Sequence, residues 1–386
     1  MPPLQPAQPS KSAGRRRFAL PVFLVLLVPL ELLLHVIQDR KLDFAVFYYA
    51  ARMVRDGRGG QLYDAAVQAA YQVRFHRPPD FTFNYPPVAL LPFLLLASIP
   101  MMAAYTVWTA ANLALLARTA RMVNGYLRWL TGDWPVLLAL AFLPTGVCLV
   151  HGQFSILVFF LFTASFLAWQ KGRPVLAGAI LAVATFKFQL VVGLMAIVFL
   201  KREWKFIAGF CAGLIPMISI SVWLAGPAAL AKYPSVLKTI AAHAGPSIDP
   251  GAMANLRGLL FFTLRHDPPL WAVVLLSAAL VVWAARKWDG LESGFAIAVV
   301  ATVLVSYHSN PQDLTVLLLP LGIAASRIRR DLPWDLVVLF GFIGVPAALL
   351  LLDAFALLAL PVFVLAYWLS TTTPTMRPSA PALPAS

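Results

Sequence analysis

Long apolar runs recur along this chain from residue 18 to residue 369, and most of its basic residues lie at their ends. The sequence is 60% hydrophobic and 12% charged, whereas a soluble domain carries about 25% charged residues. This composition excludes a soluble globular protein. The formal net charge of +14 would suggest a nucleic-acid partner in a soluble chain, but basic residues beside apolar runs are typical of membrane proteins. We therefore predict an all-α polytopic membrane protein that contacts membrane lipids and no nucleic acid.

The basic clusters also predict which loops face the cytoplasm, because such loops carry an excess of lysine and arginine. With all of these clusters inside, long external loops remain at residues 38–85 and 226–269, and about 12 passes of ~17–25 residues fit between the ends. Prolines and glycines in the second loop predict that it holds no long regular helix. Residues 1–17 are predicted to be a disordered cytoplasmic N-terminus, 18–370 a single transmembrane domain and 371–386 a flexible tail. We expect a multi-pass protein of a bacterial plasma membrane.

Two apolar stretches do not fit one straight helix each. Residues 86–121 contain Pro92 and Pro100, which predicts a half-length helix followed by a full one. Residues 174–200 hold Lys187 near their centre, and two short helices that meet near Lys187 would keep both flanking basic clusters on the cytoplasmic side. A single long helix, from which Lys187 snorkels to an interface, is the alternative.

Ionisable residues at membrane depth are costly and therefore mark functional sites. Asp43, His151, Lys187 and His308 are the candidates, and the predicted topology places all four on the external half of the protein. A carboxylate such as Asp43 can take the proton of an attacking hydroxyl, and Lys187 and His308 can neutralise a leaving phosphate. In the alternative interpretation Asp43 only caps the following helix and the histidines are ordinary loop residues.

The sequence contains no glycine-rich nucleotide-binding loop. A lipid-linked donor that enters from the bilayer would need no such loop and is favoured. Nor does the sequence cluster carboxylates for a divalent ion, so we expect neither a metal nor another cofactor. Cys148 and Cys211 both lie inside apolar runs, which predicts a buried structural thiol for each.

Several short motifs follow one another along the chain. They are Asp43-Phe44, Tyr48-Tyr49-Ala50-Ala51, Leu62-Tyr63-Asp64, Phe83-Asn84-Tyr85-Pro86-Pro87, Gly152-Gln153, Ala177-Gly178 before Lys187, and Asn255-Leu256-Arg257-Gly258. In this order they resemble glycosyltransferase family 87, whose members are similar to polyprenyl-phosphate-mannose-dependent mannosyltransferases and share their GT-C architecture. The resemblance extends over residues 42–320.

The resemblance implies a polyprenyl-phosphate-sugar donor, the sugar being mannose or a similar hexose, and a lipid or glycan acceptor that attacks with inversion on the external face. It implies that Asp43 is the catalytic base and that His308 lies near the donor phosphate. We expect Lys187 and Arg257 to bind the same phosphate. Substrate contacts are expected from Tyr48, Tyr49, Arg52, Asn84, Tyr85, Gln153 and Asn255. Phe47, Tyr48 and Tyr49 could instead form an interfacial aromatic belt without a ligand role.

Two other classes of protein compete with an enzyme. A transporter or flippase for a lipid-linked sugar would bind its cargo with the same polar residues and do no chemistry. Such a protein should show internal repeats or paired broken helices, and the sequence shows no such pattern. A non-catalytic membrane scaffold gives no reason to gather aspartate, lysine and histidine on one side.

Overall fold

The computed structural model describes residues 43–74, 82–127, 132–241, 250–327, 341 and 344–372. These residues are mostly helical, and none of them lies in a β-strand. The predicted N-terminal segment, the start of the predicted transmembrane domain up to residue 42 and most of the predicted C-terminal tail lie outside the described residues.

The α-helices of the described residues are, in chain order, α1 (Asp43–Arg55), α2 (Ala65–Arg74), α3 (Leu91–Leu96), α4 (Met101–Leu127), α5 (Trp134–Ala141), α6 (Leu143–His151), α7 (Ser155–Gln170), α8 (Pro174–Val183), α9 (Val192–Leu200), α10 (Trp204–Ala241), α11 (Leu256–Leu264), α12 (Leu270–Arg286), α13 (Leu291–Val305), α14 (Leu318–Arg327), α15 (Val345–Leu351) and α16 (Ala359–Thr371). Short 3-10 helices connect or extend them at Gly59–Gln61, Pro87–Leu90, Ala184–Leu190, Pro250–Ala252, Pro311–Leu317 and Phe355–Leu358.

Among the described helices, a single stretch is long and apolar enough to cross a membrane by itself, Trp204–Thr239 within α10. Three bent pairs of helices pass the same test when taken together, so up to four spans result if each pair counts as one. Shorter apolar helices, such as α7, α12 and α13, accompany them. The expected number of about 12 passes therefore stays a prediction.

The exposed face of α10 matches the thickness of a bilayer. Trp204 and Trp223 are 57% and 75% exposed, and at ~1.5 Å per residue they lie about 28 Å apart along the helix. This separation is close to the ~30 Å of a hydrocarbon core, and tryptophans are enriched at both of its boundaries. The kink of α10 at Gly226 then lies just beyond one boundary.

Both predicted helix breaks are confirmed. The segment Pro87–Leu96 meets α4 at an angle of 112°, and the segment Pro174–Leu190 meets α9 at 116°. Lys187 itself has non-helical backbone angles, φ −122° and ψ 56°, and its side chain is buried. The alternative of one long helix with a snorkelling lysine is therefore wrong.

The second predicted external loop contains more helix than we expected from its prolines and glycines. Helix α10 continues to Ala241 beyond Gly226, which has φ 75° and ψ 161°. Pro227 follows this kink directly, at a first-turn position where a helix needs no backbone N–H. The expectation that residues 226–269 hold no long helix is therefore wrong.

Helix α8 packs against the first half of α10 at close backbone distance. A Cβ atom at Gly178 would lie 2.0 Å from the Phe206 carbonyl oxygen, and one at Gly209 would lie 1.9 Å from the Val175 carbonyl oxygen. Helices in membranes associate through such small residues because they let backbones approach. This contact fixes α8, and with it the break at Lys187, relative to α10.

Gly178→Ala should lower the thermal unfolding midpoint, because the new Cβ would meet a backbone oxygen that no rotamer change can move. Overpacking of this kind costs about 1–3 kcal/mol. Gly125→Ala is the matched control, since Gly125 is an exposed helical residue with no atom within 4 Å of the added Cβ. The control should be neutral or stabilising by about 0.5–1 kcal/mol. Equal midpoints for both variants in one detergent would contradict the close packing.

Candidate active site

A cluster around the Asp43 carboxylate joins the start of α1 to the turn between α6 and α7. Asp43 Oδ2 accepts a hydrogen bond from Gln153 Nε2 at 2.7 Å and lies 3.6 Å from His151 Nδ1. The side chains of Asp43 and His151 are 25% and 32% exposed, whereas Gln153 is buried. The Asp43 carboxylate therefore remains accessible while the buried Gln153 amide holds it. A residue that only caps a helix would not need this second partner.

The turn that carries His151 and Gln153 is held in place by its neighbours. Gly152 has φ 66°, and a Cβ atom there would lie 2.7 Å from Phe44 Cβ. Trp108 Nε1 donates to the Gly152 carbonyl oxygen at 2.9 Å. A side chain at residue 152 would thus be strained and would push α1 away, which gives the Gly152-Gln153 motif a steric cause.

Tyr85 contacts the Asp43 cluster and also senses the charge of the Asp313 carboxylate. Its hydroxyl donates to Gln153 Oε1 at 3.4 Å, and its carbonyl oxygen accepts from the Tyr63 hydroxyl at 2.7 Å. Burial raises the pKa of Tyr85 far above its ordinary value, and the negative charges of Asp313 and Asp43 raise this pKa further. The phenol therefore keeps its proton and acts as a hydrogen-bond donor.

Helix α10 beyond Gly226 forms a wall beside the same segment. The Tyr233 hydroxyl donates to the Asn84 carbonyl oxygen at 3.4 Å, and the Tyr233 and Tyr63 ring centroids are 5.2 Å apart. Asn84 itself is half-buried. Tyr233 was not predicted from the sequence, because residues 226–269 were expected to hold no long helix.

A buried ion pair connects the break at Lys187 to the Pro311–Leu317 helix. Lys187 Nζ contacts Asp313 Oδ1 and donates to Ser155 Oγ at 2.9 Å. Ser155 Oγ donates in turn to Asp313 Oδ1 at 2.9 Å. Asp313 Oδ2 accepts from the Asn310 backbone N–H at 3.0 Å. The three contacts among Lys187, Asp313 and Ser155 therefore join three chain segments, and the Asn310 contact caps the Pro311–Leu317 helix.

This ion pair differs from what the sequence led us to expect of Lys187. We expected a bound phosphate to compensate its charge, but Asp313 provides that compensation. Ser155 was missed, although a hydroxyl two residues after the Gly152-Gln153 motif is the available signal. Asp313 also caps the Pro311–Leu317 helix, and its ion pair with Lys187 was not predicted from the sequence.

Arg257 on α11 contacts the short segment that contains His308 and precedes the Pro311–Leu317 helix. The Arg257 guanidinium carbon lies 4.2 Å from the centroid of the Tyr307 ring, and its Nη1 donates to the Tyr307 carbonyl oxygen at 3.2 Å. Its Nη2 lies 3.7 Å from Asp267 Oδ1. Burial lowers the pKa of Arg257, but arginine stays charged in proteins. His308 follows Tyr307 directly, and its carbonyl oxygen accepts from the Ser306 hydroxyl at 2.8 Å.

Asn255 has a different position from the one expected of a substrate ligand. Its Oδ1 accepts from the Gly258 backbone N–H at 2.7 Å, which makes Asn255 the N-cap of α11. Its Nδ2 donates to the Ser306 carbonyl oxygen, also at 2.7 Å. The buried amide therefore holds the start of α11 against residue 306 and positions Arg257.

The aromatic residues of α1 anchor this helix. The Tyr48 hydroxyl donates to the Ile99 carbonyl oxygen at 2.7 Å and accepts from Arg52 Nη1 at 3.2 Å. Tyr49 packs against it edge to face, with ring centroids 5.4 Å apart. Both tyrosines are buried, so the alternative of an exposed aromatic belt is wrong for them.

The cysteines and possible metal ligands add no further site. Cys148 is buried as expected, and its Sγ donates to the Gln153 carbonyl oxygen at 3.4 Å. Cys211 is exposed on α10, so its predicted burial is wrong; an apolar run at a lipid-facing helix surface need not be packed inside the protein. Within the described residues, no three His, Cys, Asp or Glu side chains form a group that could hold a metal ion.

The described residues form bent apolar helices around a polar cluster, which fits a membrane-bound transferase. The family model of glycosyltransferase family 87 matches residues 81–307, which is more than half of the 386-residue chain. The chain belongs to this family, and it is a membrane glycosyltransferase with a sugar donor and an acceptor as substrates. Searches of the curated proteins and of the solved structures gave no match. Asp43 and His308 lie outside the matched residues.

Lys187→Met should destabilise the protein strongly, because it leaves the Asp313 carboxylate buried without its cation. Removal of one partner of a buried ion pair costs about 3–5 kcal/mol. In the double variant Lys187→Met/Asp313→Asn, the buried charge is gone and the Asn310 backbone N–H keeps an acceptor, so part of the loss should be recovered. Thermal unfolding in detergent compares the three proteins. A double variant no more stable than Lys187→Met alone would contradict the ion pair.

Proposed function

We propose that this glycosyltransferase transfers a hexose, mannose or a similar sugar, from a polyprenyl-phosphate donor to a hydroxyl of a lipid or glycan acceptor. Transfer proceeds with inversion on the external side of the membrane. The observation that carries the proposal is the accessible Asp43 carboxylate, which a buried glutamine orients in a chain of glycosyltransferase family 87.

Asp43 acts as the general base in this proposal. The acceptor hydroxyl gives its proton to the Asp43 carboxylate while its oxygen forms a bond to the anomeric carbon of the donor sugar. The bond between that carbon and the phosphate oxygen breaks, and its electron pair leaves with the polyprenyl phosphate. Inversion follows because attack and departure occur on opposite faces of the carbon. No covalent intermediate on the protein is required.

Arg257 and His308 bind the departing phosphate. Two features support Arg257 in this role: its charge is permanent, and stacking on Tyr307 fixes the plane of its guanidinium. A fixed cation stabilises developing phosphate charge without reorganisation during the reaction. Lys187 contributes indirectly in this proposal, because its ion pair with Asp313 holds the segment that contains His308.

The direction of α7 supports an external active site. The turn that contacts Asp43 lies directly before its first residue, and the exposed Lys171 and Arg173 lie after its last. These 16 residues separate the two ends by about 24 Å. Basic residues mark the cytoplasmic side, so the end that carries Asp43 faces outward.

The alternative is a flippase for a lipid-linked sugar that binds with the same residues. Membership in a glycosyltransferase family favours catalysis. Formation of a sugar–acceptor bond by the purified protein distinguishes the two, because a flippase moves its cargo without forming one.

Asp43→Asn should reduce turnover by about 10²–10⁴-fold, the usual loss when a general base is removed. The assay is hexose transfer from radiolabelled polyprenyl-phosphate mannose to a membrane lipid extract. Inhibition by polyprenyl phosphate should be unchanged in Asp43→Asn and weaker in His308→Ala. In the proposal Asp43 contacts the acceptor hydroxyl, whereas His308 contacts the phosphate. Near-normal turnover of folded Asp43→Asn would remove Asp43 from the mechanism.

The proposed orientation can be measured by thiol labelling of intact cells. In a background without Cys148 and Cys211, a cysteine at the exposed Arg58 or Lys232 should react with an impermeant reagent. A cysteine at the equally exposed Arg202 is the control and should react only after the membrane is opened. Labelling at Arg202 in intact cells, or protection of both other positions, would reverse the orientation.

A further inference from the structure

We propose that Gln153 is a positioning residue for the Asp43 carboxylate and that Tyr85 supports the Gln153 amide in this orientation. In this arrangement Oδ2 of Asp43 is held by the protein, and Oδ1 is the atom that takes the acceptor proton. The inference rests on the proposed role of Asp43 as the base, and it replaces the substrate contact that sequence motifs suggested for Gln153 and Tyr85.

The two oxygens of Asp43 have different surroundings. Oδ2 accepts from Gln153 Nε2 at 2.7 Å and is the oxygen nearest to His151. None of the residues that the structure describes donates a hydrogen bond to Oδ1. Since Gln153 is buried and Asp43 is one-quarter exposed, the buried amide holds Oδ2, and Oδ1 is the oxygen left for an external group. This division suits a base that must meet an external hydroxyl.

The orientation of the Gln153 amide follows from its two neighbours. An ionised carboxylate only accepts hydrogen bonds, so the amide nitrogen of Gln153 is directed to Asp43. The reverse orientation would bring the amide oxygen within 2.7 Å of a carboxylate oxygen, where two acceptors repel. The amide oxygen Oε1 is then left to accept from the Tyr85 hydroxyl, and the three side chains form one ordered chain.

The backbone of Gln153 is fixed independently of the substrate. Gly152 closes the preceding helix in a left-handed conformation against Phe44, and Cys148 Sγ donates to the Gln153 carbonyl oxygen. Both ends of the Gln153 amide are used by Asp43 and Tyr85. Because its amide oxygen and nitrogen are both hydrogen-bonded and its backbone is fixed, Gln153 is suited to orienting a base. A displacement of ~1 Å at such a site can cost about 10²-fold in rate.

Gln153→Met keeps the length of the side chain and removes both hydrogen bonds. We expect kcat to fall about 10–100-fold, while KM for donor and acceptor and the inhibition by polyprenyl phosphate stay unchanged. Tyr85→Phe removes a single hydroxyl and should show the same signature with a smaller loss, which keeps the test available if Gln153→Met folds poorly. Thr145→Val is the control, because the Thr145 hydroxyl is buried on the same helix, α6, without a hydrogen-bond partner among the described residues. It should leave kcat unchanged.

The deciding experiment combines these changes with Asp43→Asn in single-turnover assays. If Gln153 acts through Asp43, Gln153→Met should cause no further loss in the Asp43→Asn background. A full additional loss there would overturn the inference, and so would a raised KM with unchanged kcat. If Asp43→Asn lowers the rate but neither Gln153→Met nor Tyr85→Phe does, the positioning role of Gln153 is wrong and the role of Asp43 as base is retained. If Asp43→Asn has normal activity, the proposed base itself fails.

Discussion

The buried contact between Lys187 and Asp313 is the interaction on which the site depends. Charges removed from water need each other, because an isolated one would cost several kcal/mol. Lys187 stands where the helix breaks between α8 and α9, Asp313 starts the Pro311–Leu317 helix, and Ser155 starts α7. Their mutual contacts therefore hold three interrupted segments in one geometry. The segment with His308 and the turn with Gln153 are both attached to this core.

The structure separates charges that hold the fold from a charge that can react. Lys187 and Asp313 are almost fully buried and paired with one another. Asp43 instead remains accessible and is held from one side by Gln153. A base needs such access, whereas a stabilising ion pair is stronger without water. This difference in burial supports the proposed role of Asp43 as the base.

The segment after α1 is packed against α10 and is not a free loop. A Cβ atom at Gly59 would lie 2.1 Å from the Leu224 carbonyl oxygen, and Ser221 Oγ accepts from the Val88 backbone N–H at 3.2 Å. Tyr233, beyond the kink of α10, donates to the Asn84 carbonyl oxygen. Helix α10 thus has an exposed apolar part before its kink at Gly226 and a part after the kink that contacts Asn84 near the candidate site.

Local chemistry determined much of this protein from the sequence alone. Apolar composition required a membrane helix protein, prolines and a central lysine marked the helix breaks, and ordered motifs identified the family. The tertiary structure decided which polar residues meet. That Lys187 pairs with Asp313, 126 residues away, and that Gln153 turns inward to Asp43 depend on how distant helices pack. Sequence spacing carries no information about such contacts, because burial and partner choice arise only when the segments come together.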